Sequence, residues 1–471
     1  MRREPRNMMT KQEIQAIIQK QKAFFQSGKT KPVEARLDYL QKLKSALMEY
    51  EDSIIEASRK DIGRADVETF FTEVNGNIDE LTYAIRNVQK WTKPRKVKTP
   101  LWLFPSQSRV YPEPYGTVVI ISAWNFPFMQ LIAPLTGAIA AGNTAILKPS
   151  PESPVSARVV ETIIKGVFPP EYVAVVLGDT AVTSMLLQEE FDYIFFTGSS
   201  RVGRIVSEAA AKYLTPVTLE LGGKSPAIVD TDADLDQAAK SIVWAKNYTA
   251  GQVCVTVDHV YVHTAVKQRF IKCLTHYLKQ FYGDEPLASP DISCIIDERS
   301  FERAVGYLKE GRIVYGGQSD RATRRIAPTV LINIPPEARV LQEEIFAPIL
   351  PVIDFADIKD VIEDLKRKPK PLALYYFSRS AAKQKKVIAE TSSGGVTIND
   401  TMAHGSSVYL PFGGVGNSGM GTYHGRKTFD TFTHYKPVLR RNFLYDPPIK
   451  YPPYRGKLEG IKKFLGMLPP P

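Results

Sequence analysis

The chain has little cysteine, and what it has is not arranged in pairs. Three cysteines among 471 residues, at 254, 273 and 294, form an odd set without disulfide spacing. That excludes an oxidised, stapled framework and predicts a reducing, cytoplasmic setting. An uninterrupted membrane span is missing as well. No charge occurs from Tyr115 to Leu147, but Asn125, Pro127, Gln130, Pro134, Gly137 and Asn143 punctuate the stretch. It divides into a strand (116–123), a helix (about 128–141) and a strand (144–148). The N-terminal MRREPRNMMTKQEIQ is basic without an apolar core, so it does not read as a secretory signal. No internal repeat is present, and no low-complexity tract beyond the terminal prolines. A metal site finds no support: His259 and His263 are four apart in DHVYVHT, whose strand-like alternation would separate them by about 13 Å. GNSGM (416–420) has the spelling of a nucleophile elbow but lacks its strand-turn-helix setting. The dinucleotide fingerprint G-x-G-x-x-G is absent too.

What is present fits a globular chain of about three units. Apolar residues make up 44% and charged residues 24%. The net charge of +11 is high, but its lysines and arginines are spread out, with concentrations at KWTKPRKVK (90–98) and over 436–471. No nucleic-acid motif accompanies them, so no nucleic-acid partner is expected. Beyond residue 148, SPVSARVVETIIKGVF, AVTSMLLQEE and VGRIVSEAAAKYL read as helices, and VAVVLG and YIFFTG as strands. This alternation predicts a doubly wound α/β sheet, with near-continuous apolar strands because both faces are covered. A second α/β region begins after Gly223.

Cys254, in GQVCVTVD, and Glu220, in LELGGKSP, together suggest acyl-enzyme chemistry. A thiol is a far better nucleophile than a hydroxyl near neutral pH, and its thioester can still be cleaved by water. Cys273, in a helical pattern, and Cys294, in a loop-like stretch, read as small apolar fillers. Glu220 fits a general base whose proton affinity is raised in a partly apolar site. It fits equally a strand-end carboxylate capping the Gly222-Gly223 turn. Asn125 offers a side-chain amide for an oxyanion, and Asn-x-Pro also marks a strand-to-helix corner. Gly198 and Gly203 in FTGSSRVG deliver a strand, a tight turn and a helix N-terminus suited to a pyrophosphate.

Taken with AWNFPF (123–128), LKPS (147–150) and EEIFAP (343–348), these motifs resemble the NAD(P)-dependent aldehyde dehydrogenase superfamily over roughly 110 to 435. The block NDTMAHGSSVYLPFGGVGNSGMGTYHGRKTF (399–429) and the short N-terminus are most similar to its class 3, fatty or aromatic aldehyde branch. The resemblance implies oxidation of an aldehyde to a carboxylic acid with NAD or NADP, through a thiohemiacetal and a thioester on Cys254. Asn125 and the backbone N–H of Cys254 would hold the oxyanion, and Glu220 would activate water. CoA-acylating relatives characteristically lack that glutamate. Cofactor contacts carried over are Ser199 with Gly198 and Gly203 at the phosphates, Lys148 at the adenosine ribose, Glu344 at the nicotinamide ribose, and Phe346 near the ring, with Trp124 in the same set. Where many NAD-preferring relatives have glutamate, this chain has Pro151, with Glu152 displaced by one. The implied architecture is a cofactor domain (1–94 and 117–219), a catalytic domain (220–407), an oligomerisation arm (95–116 and 408–440) that pairs a homodimer, and a tail (441–471).

Phe126, Val253 and Val255 would line an apolar funnel for a medium- or long-chain or aromatic aldehyde. Leu458, Ile461, Leu465 and Leu468 recur at 3-4-3 spacing beside Lys457, Lys462 and Lys463, which predicts a short basic amphipathic helix touching the funnel or an anionic membrane surface. Two rival readings stay open from sequence: a cofactor-independent thioesterase-like hydrolase, and a non-catalytic structural or membrane-binding relative, though the latter would be expected to have lost the nucleophile or the base.

Overall fold

The uncharged run of the sequence becomes the centre of a sheet. Thr117–Ile121 and Thr144–Lys148 pair in parallel with every residue buried, and the connecting helix Met129–Ala141 is buried from Gln130 onward. Elements covered on both sides have no solvent face on which to place charge, which is why these strands carry none before Lys148 at the end of the second. Gly142, at φ +98°, closes that helix in the left-handed conformation glycine adopts without penalty. A computed structural model of the chain describes residues 9–446 and 448–466. In it the sheet has six strands, ordered Gly419–Met420, Val217–Glu220, Tyr193–Thr197, Thr117–Ile121, Thr144–Lys148 and Val173–Val175, parallel except for the short first one.

A second, seven-stranded sheet runs Arg312–Tyr315, Thr329–Ile332, Ile349–Phe355, His259–His263, Pro226–Val229, Ala373–Phe377 and Gly395–Ile398, antiparallel only at Arg312–Tyr315. One continuous apolar cluster includes Val118 and Ile120 of the first sheet and Val229, Val260 and Val352 of the second. The doubly wound α/β expectation therefore holds for both regions. A third, antiparallel sheet joins Arg95–Val97, Ser106–Pro114 and Thr433–Arg441.

Before the first sheet come the helices Lys11–Gln26, Val33–Glu49 and Glu51–Ile62, a short helix Asp66–Thr69, a π-helical turn Phe70–Asn75 and the helix Gly76–Trp91. Leu40, Leu43, Leu47, Leu81 and Val88 join these helices to the common core. At the other end, Leu458–Gly466 is helical, as the leucine spacing predicts, with Leu458 and Leu465 exposed. Leu468 of that pattern lies outside the described residues.

Candidate active site

The carboxyl ends of the first sheet's strands and the amino ends of the second sheet's strands border one cavity of about 1470 Å3. From the first sheet come Trp124 and Asn125, Thr197 to Ser199, and Glu220. From the second come Val253 to Val255, Glu344 with Phe346, and Leu372. Phe126 also lines the cavity, so the three apolar neighbours expected around the nucleophile are all there.

Cys254 follows a sharply bent segment. Thr249, Ala250 and Gly251 have φ values of +51°, +53° and +73°, a run in a region that threonine and alanine seldom enter. A Cβ on Gly251 would lie 2.5 Å from the Ala347 carbonyl oxygen, so the close approach to the Phe346 segment requires glycine. Burial pushes the Cys254 thiol up to about 12, and the carboxylates of Glu344 and Glu220 add to the shift. The thiol therefore rests protonated, and to act as a nucleophile it would have to give up that proton.

Asn125 is buried at the corner after Thr117–Ile121. Its Oδ1 accepts from Gln130 Nε2 at 2.9 Å and its Nδ2 donates to Gln252 O at 3.0 Å, two residues before the nucleophile. Gln130 in turn accepts from Ala123 N at 2.9 Å. An amide NH2 carries two donors, so one hydrogen remains for an oxyanion. The corner and oxyanion roles are thus compatible in one residue.

Glu220 ends its strand at 3% exposure, and neither carboxylate oxygen has a hydrogen-bond partner among the described residues. Burial raises its proton affinity well above the ordinary carboxylate range. The turn-cap reading fails here, because the Gly223 N–H donates to Glu344 Oε1 at 3.0 Å instead. The approach is close: a Cβ on Gly222 would meet Glu344 Oε2 at 2.2 Å. Burial raises Glu344 to about 7, against the opposing pull of that N–H.

At the wall next to the first sheet, Ser199 caps the helix Ser200–Ala211, accepting from Val202 N at 3.4 Å, and Gly198 precedes it. The helix N-terminus faces the cavity with Arg201 and Arg204 beside it, and the buried Thr197 Oγ1 there has no hydrogen-bond partner among the described residues. An anion-binding helix end next to an orphaned hydroxyl fits a pyrophosphate with a polar group beyond it. Trp124 meets Phe346 edge to face, with centroids 5.8 Å apart, and Phe346 has a left-handed φ of +50°. Two expected contacts stand apart from the cavity lining. Gly203 packs under Leu221, where a Cβ would lie 2.6 Å from Leu221 Cδ2. Lys148 is on the same sheet edge, but its Nζ donates to Pro149 O and Gly178 O, each at 2.8 Å, and burial lowers it to about 8. The tail does not reach the cavity of its own chain among the described residues.

The motifs also contain a staple that sequence reasoning missed. Lys224 Nζ lies 2.6 Å from Asp258 Oδ1 and donates to the carbonyls of Val340 and Glu343, at 3.0 and 2.6 Å. Asp258 Oδ2 accepts from Ile345 N at 3.0 Å. Lys224 follows Glu220 by four residues, and Asp258 follows Cys254 by four. The equal spacing was the available signal. The pair ties the carboxylate, thiol and Glu344 segments together.

The family model described as the aldehyde dehydrogenase family matches residues 6–438. A 4,4'-diaponeurosporen-aldehyde dehydrogenase of Staphylococcus aureus is 44% identical over 446 residues, covering 94% of this chain and 97% of its own. A dimeric NADP-preferring aldehyde dehydrogenase of Canis lupus familiaris is 41% identical over 447 residues, covering 94% and 99%. Among solved structures, the substrate-bound state of Staphylococcus aureus AldH has a TM-score of 0.94 at 43% identity, covering 96% of this chain and 99% of that one.

Proposed function

Because this chain belongs to the aldehyde dehydrogenase family and oxidises aldehydes to carboxylic acids with a nicotinamide dinucleotide, we propose that Cys254, Asn125 and Glu220 divide that reaction among them. The observation that carries the assignment is their convergence on one cavity, with the Asn125 amide tied to the loop that bears the thiol. Cys254 Sγ bonds to the aldehyde carbon as its proton passes to solvent, and the carbonyl oxygen takes up negative charge. The free N–H of Asn125 Nδ2 and the backbone N–H of Cys254 hold that oxygen. The bound nicotinamide supplies the hydride acceptor. Glu220, once deprotonated, takes a proton from water as the oxygen attacks the thioester, and the C–S bond breaks to release acid and thiol. Neither the thioesterase nor the non-catalytic reading draws support from the relatives.

Ser199, Gly198, Trp124, Glu344 and Phe346 would hold the cofactor, with Gly203 setting the helix and Lys148 approaching from the sheet edge. The three sheets support a division into a cofactor domain (1–94 and 117–219), a catalytic domain (220–407), a pairing arm (95–116 and 408–440) and a tail (441–471). Exposed Leu101, Trp102, Phe104 and Leu439 on the arm suit a homodimer. A cytoplasmic location fits the three free cysteines, and among the described residues no helix is long and apolar enough to cross a membrane. The exposed basic tail helix suits peripheral contact with an anionic membrane; unchanged liposome sedimentation after deletion of 449–471 would dispose of that contact.

Phe71, Trp244, Tyr248, Met402 and Phe412 around the cavity favour medium- or long-chain aliphatic or aromatic aldehydes. A panel of aldehydes from two to sixteen carbons, compared by kcat/KM, tests it. Efficiency should climb with chain length, and a maximum at two or three carbons would overturn the reading.

A further inference from the structure

Arg64 belongs to none of the catalytic motifs, yet it is 1% exposed and buried against the active-site loops. Its three nitrogens reach three different elements. Nη1 pairs with Glu73 Oε1 at 3.0 Å, Nε donates to Thr249 Oγ1 at 3.1 Å, and Nη2 donates to the backbone carbonyl of Asn125. The guanidinium lies 4.7 Å from the centroid of the Phe126 ring. Glu73 uses its other oxygen to accept from the N–H groups of Phe128 and Met129, at 3.1 and 2.8 Å, where the helix Met129–Ala141 begins. Glu68 accepts from Thr249 N at 3.0 Å and so holds the first of the left-handed residues before Cys254. Glu68 lies on the short helix Asp66–Thr69 and Glu73 on the π-helical turn that follows, a type of distortion that recurs at functional sites.

A buried ion pair is expensive to desolvate and is weak evidence for stability by itself. Here the pair does something specific. It fixes the Asn125 corner and the Thr249 bend to one rigid, planar group. Arginine suits the task because its donors diverge in a fixed plane, whereas those of lysine radiate from a single atom. We propose that Arg64, oriented by Glu73, is a positioning residue that sets the Asn125 amide against the thiol of Cys254. The proposal rests on the assignment of Asn125 and Cys254 above. A misplacement of about 1 Å at a reacting centre can cost roughly a hundredfold in rate, so the effect should be large although Arg64 touches no reacting atom.

The test needs no nicotinamide. With p-nitrophenyl acetate, Cys254 Sγ bonds to the acetyl carbon, the thiol proton passes to solvent and nitrophenolate leaves, a step that develops an oxyanion. With iodoacetamide the same sulfur displaces iodide and no oxyanion forms. Arg64→Met alone would strand Glu73, so Arg64→Met with Glu73→Gln is the working variant, and Arg64→Lys is the conservative one. The double variant should lower the nitrophenolate burst rate about tenfold or more while alkylation stays within about threefold of the native enzyme. Arg64→Lys should fall between the two. Native acylation in the double variant, or equal losses in acylation and alkylation, would overturn the role of Arg64. Native acylation in Asn125→Ala would instead overturn the oxyanion assignment beneath it.

Discussion

The two large sheets serve the same cavity from opposite ends of their strands. Ligands of open α/β sheets gather at carboxyl ends, and the first sheet obeys: Asn125, Thr197 to Ser199 and Glu220 all end or follow its strands. The second does the reverse. Cys254 precedes His259–His263, Glu344 and Phe346 precede Ile349–Phe355, and Leu372 precedes Ala373–Phe377. On the proposed assignments the first sheet would offer the cofactor-binding edge, and the second would deliver the nucleophile into it. Glu220 belongs to both sets, ending a strand of one sheet and leading through Lys224 into Pro226–Val229 of the other.

The sharpest way to break that division is to remove the nucleophile. Cys254→Ala should abolish aldehyde oxidation while NAD(P) binding, followed by fluorescence titration, stays within about twofold. Residual turnover, or cofactor binding lost in parallel, would mean that the two edges are not separable. Glu220→Gln should be less severe. A general base contributes about 10²- to 10⁴-fold, so one rapid turnover should be followed by a stall with the acyl group still on sulfur, visible by rapid mixing. Steady turnover near the native rate would remove the base assignment. The pH dependence has a definite sign: burial holds Glu220 protonated well above the ordinary carboxylate range, and only the carboxylate can act as base. Deacylation should go on rising with pH above the range in which an ordinary carboxylate titrates, and a rate already flat from pH 5 upward would contradict it.

Much of this was legible in the sequence because the motifs sit where strands begin or end. Asn125, Glu220 and Cys254 are chemistry-bearing residues at breaks between apolar runs, so their types and their places could be read together. The strand limits 144–148 were legible too, since a fully buried strand has no polar interruption. Other features left no trace. Arg64 and Glu73 meet through a π-helical turn, and no periodicity announces one. The expectation that Gly203 joins a phosphate loop ran together two functions of glycine: Gly198 borders the cavity, whereas Gly203 makes room for Leu221. Nor could the sequence say that Gly223 would give its N–H to a glutamate 121 positions away rather than to its neighbour Glu220.

If the two edges are held in register by a staple, cutting it should weaken the protein. Lys224→Met removes the ammonium from Asp258, which stays buried against His259 at 3.1 Å and the Ile345 N–H at 3.0 Å. Breaking a buried pair on one side costs about 3–5 kcal/mol. With the Lys224 side chain 19% exposed, the low end is expected. The denaturation midpoint should fall accordingly, and Lys224→Met with Asp258→Asn should recover most of the loss, because an amide oxygen can still accept from Ile345 N. A single variant as stable as the native enzyme would show that the edges are held together by the apolar core alone.

The smallest expected effect concerns which dinucleotide the first edge prefers. Pro151 offers neither an acceptor for the adenosine 2′-hydroxyl nor a charge to repel a 2′-phosphate. Glu152 is exposed and turned onto Ser150, whose hydroxyl donates to it. Lys148 donates its ammonium to two carbonyls, and a phosphate would be a stronger, charge-assisted partner for it. The enzyme should therefore use both dinucleotides, with kcat/KM for NADP within about tenfold of NAD, or roughly 1.4 kcal/mol. Lys148→Met should lower efficiency with NADP more than with NAD, since only the former presents a second anion. Measuring both cofactors on one aldehyde decides it. A hundredfold preference for NAD would mean that Glu152 swings back to do the work of the missing glutamate, and equal losses in Lys148→Met would mean that the lysine never reaches the phosphate.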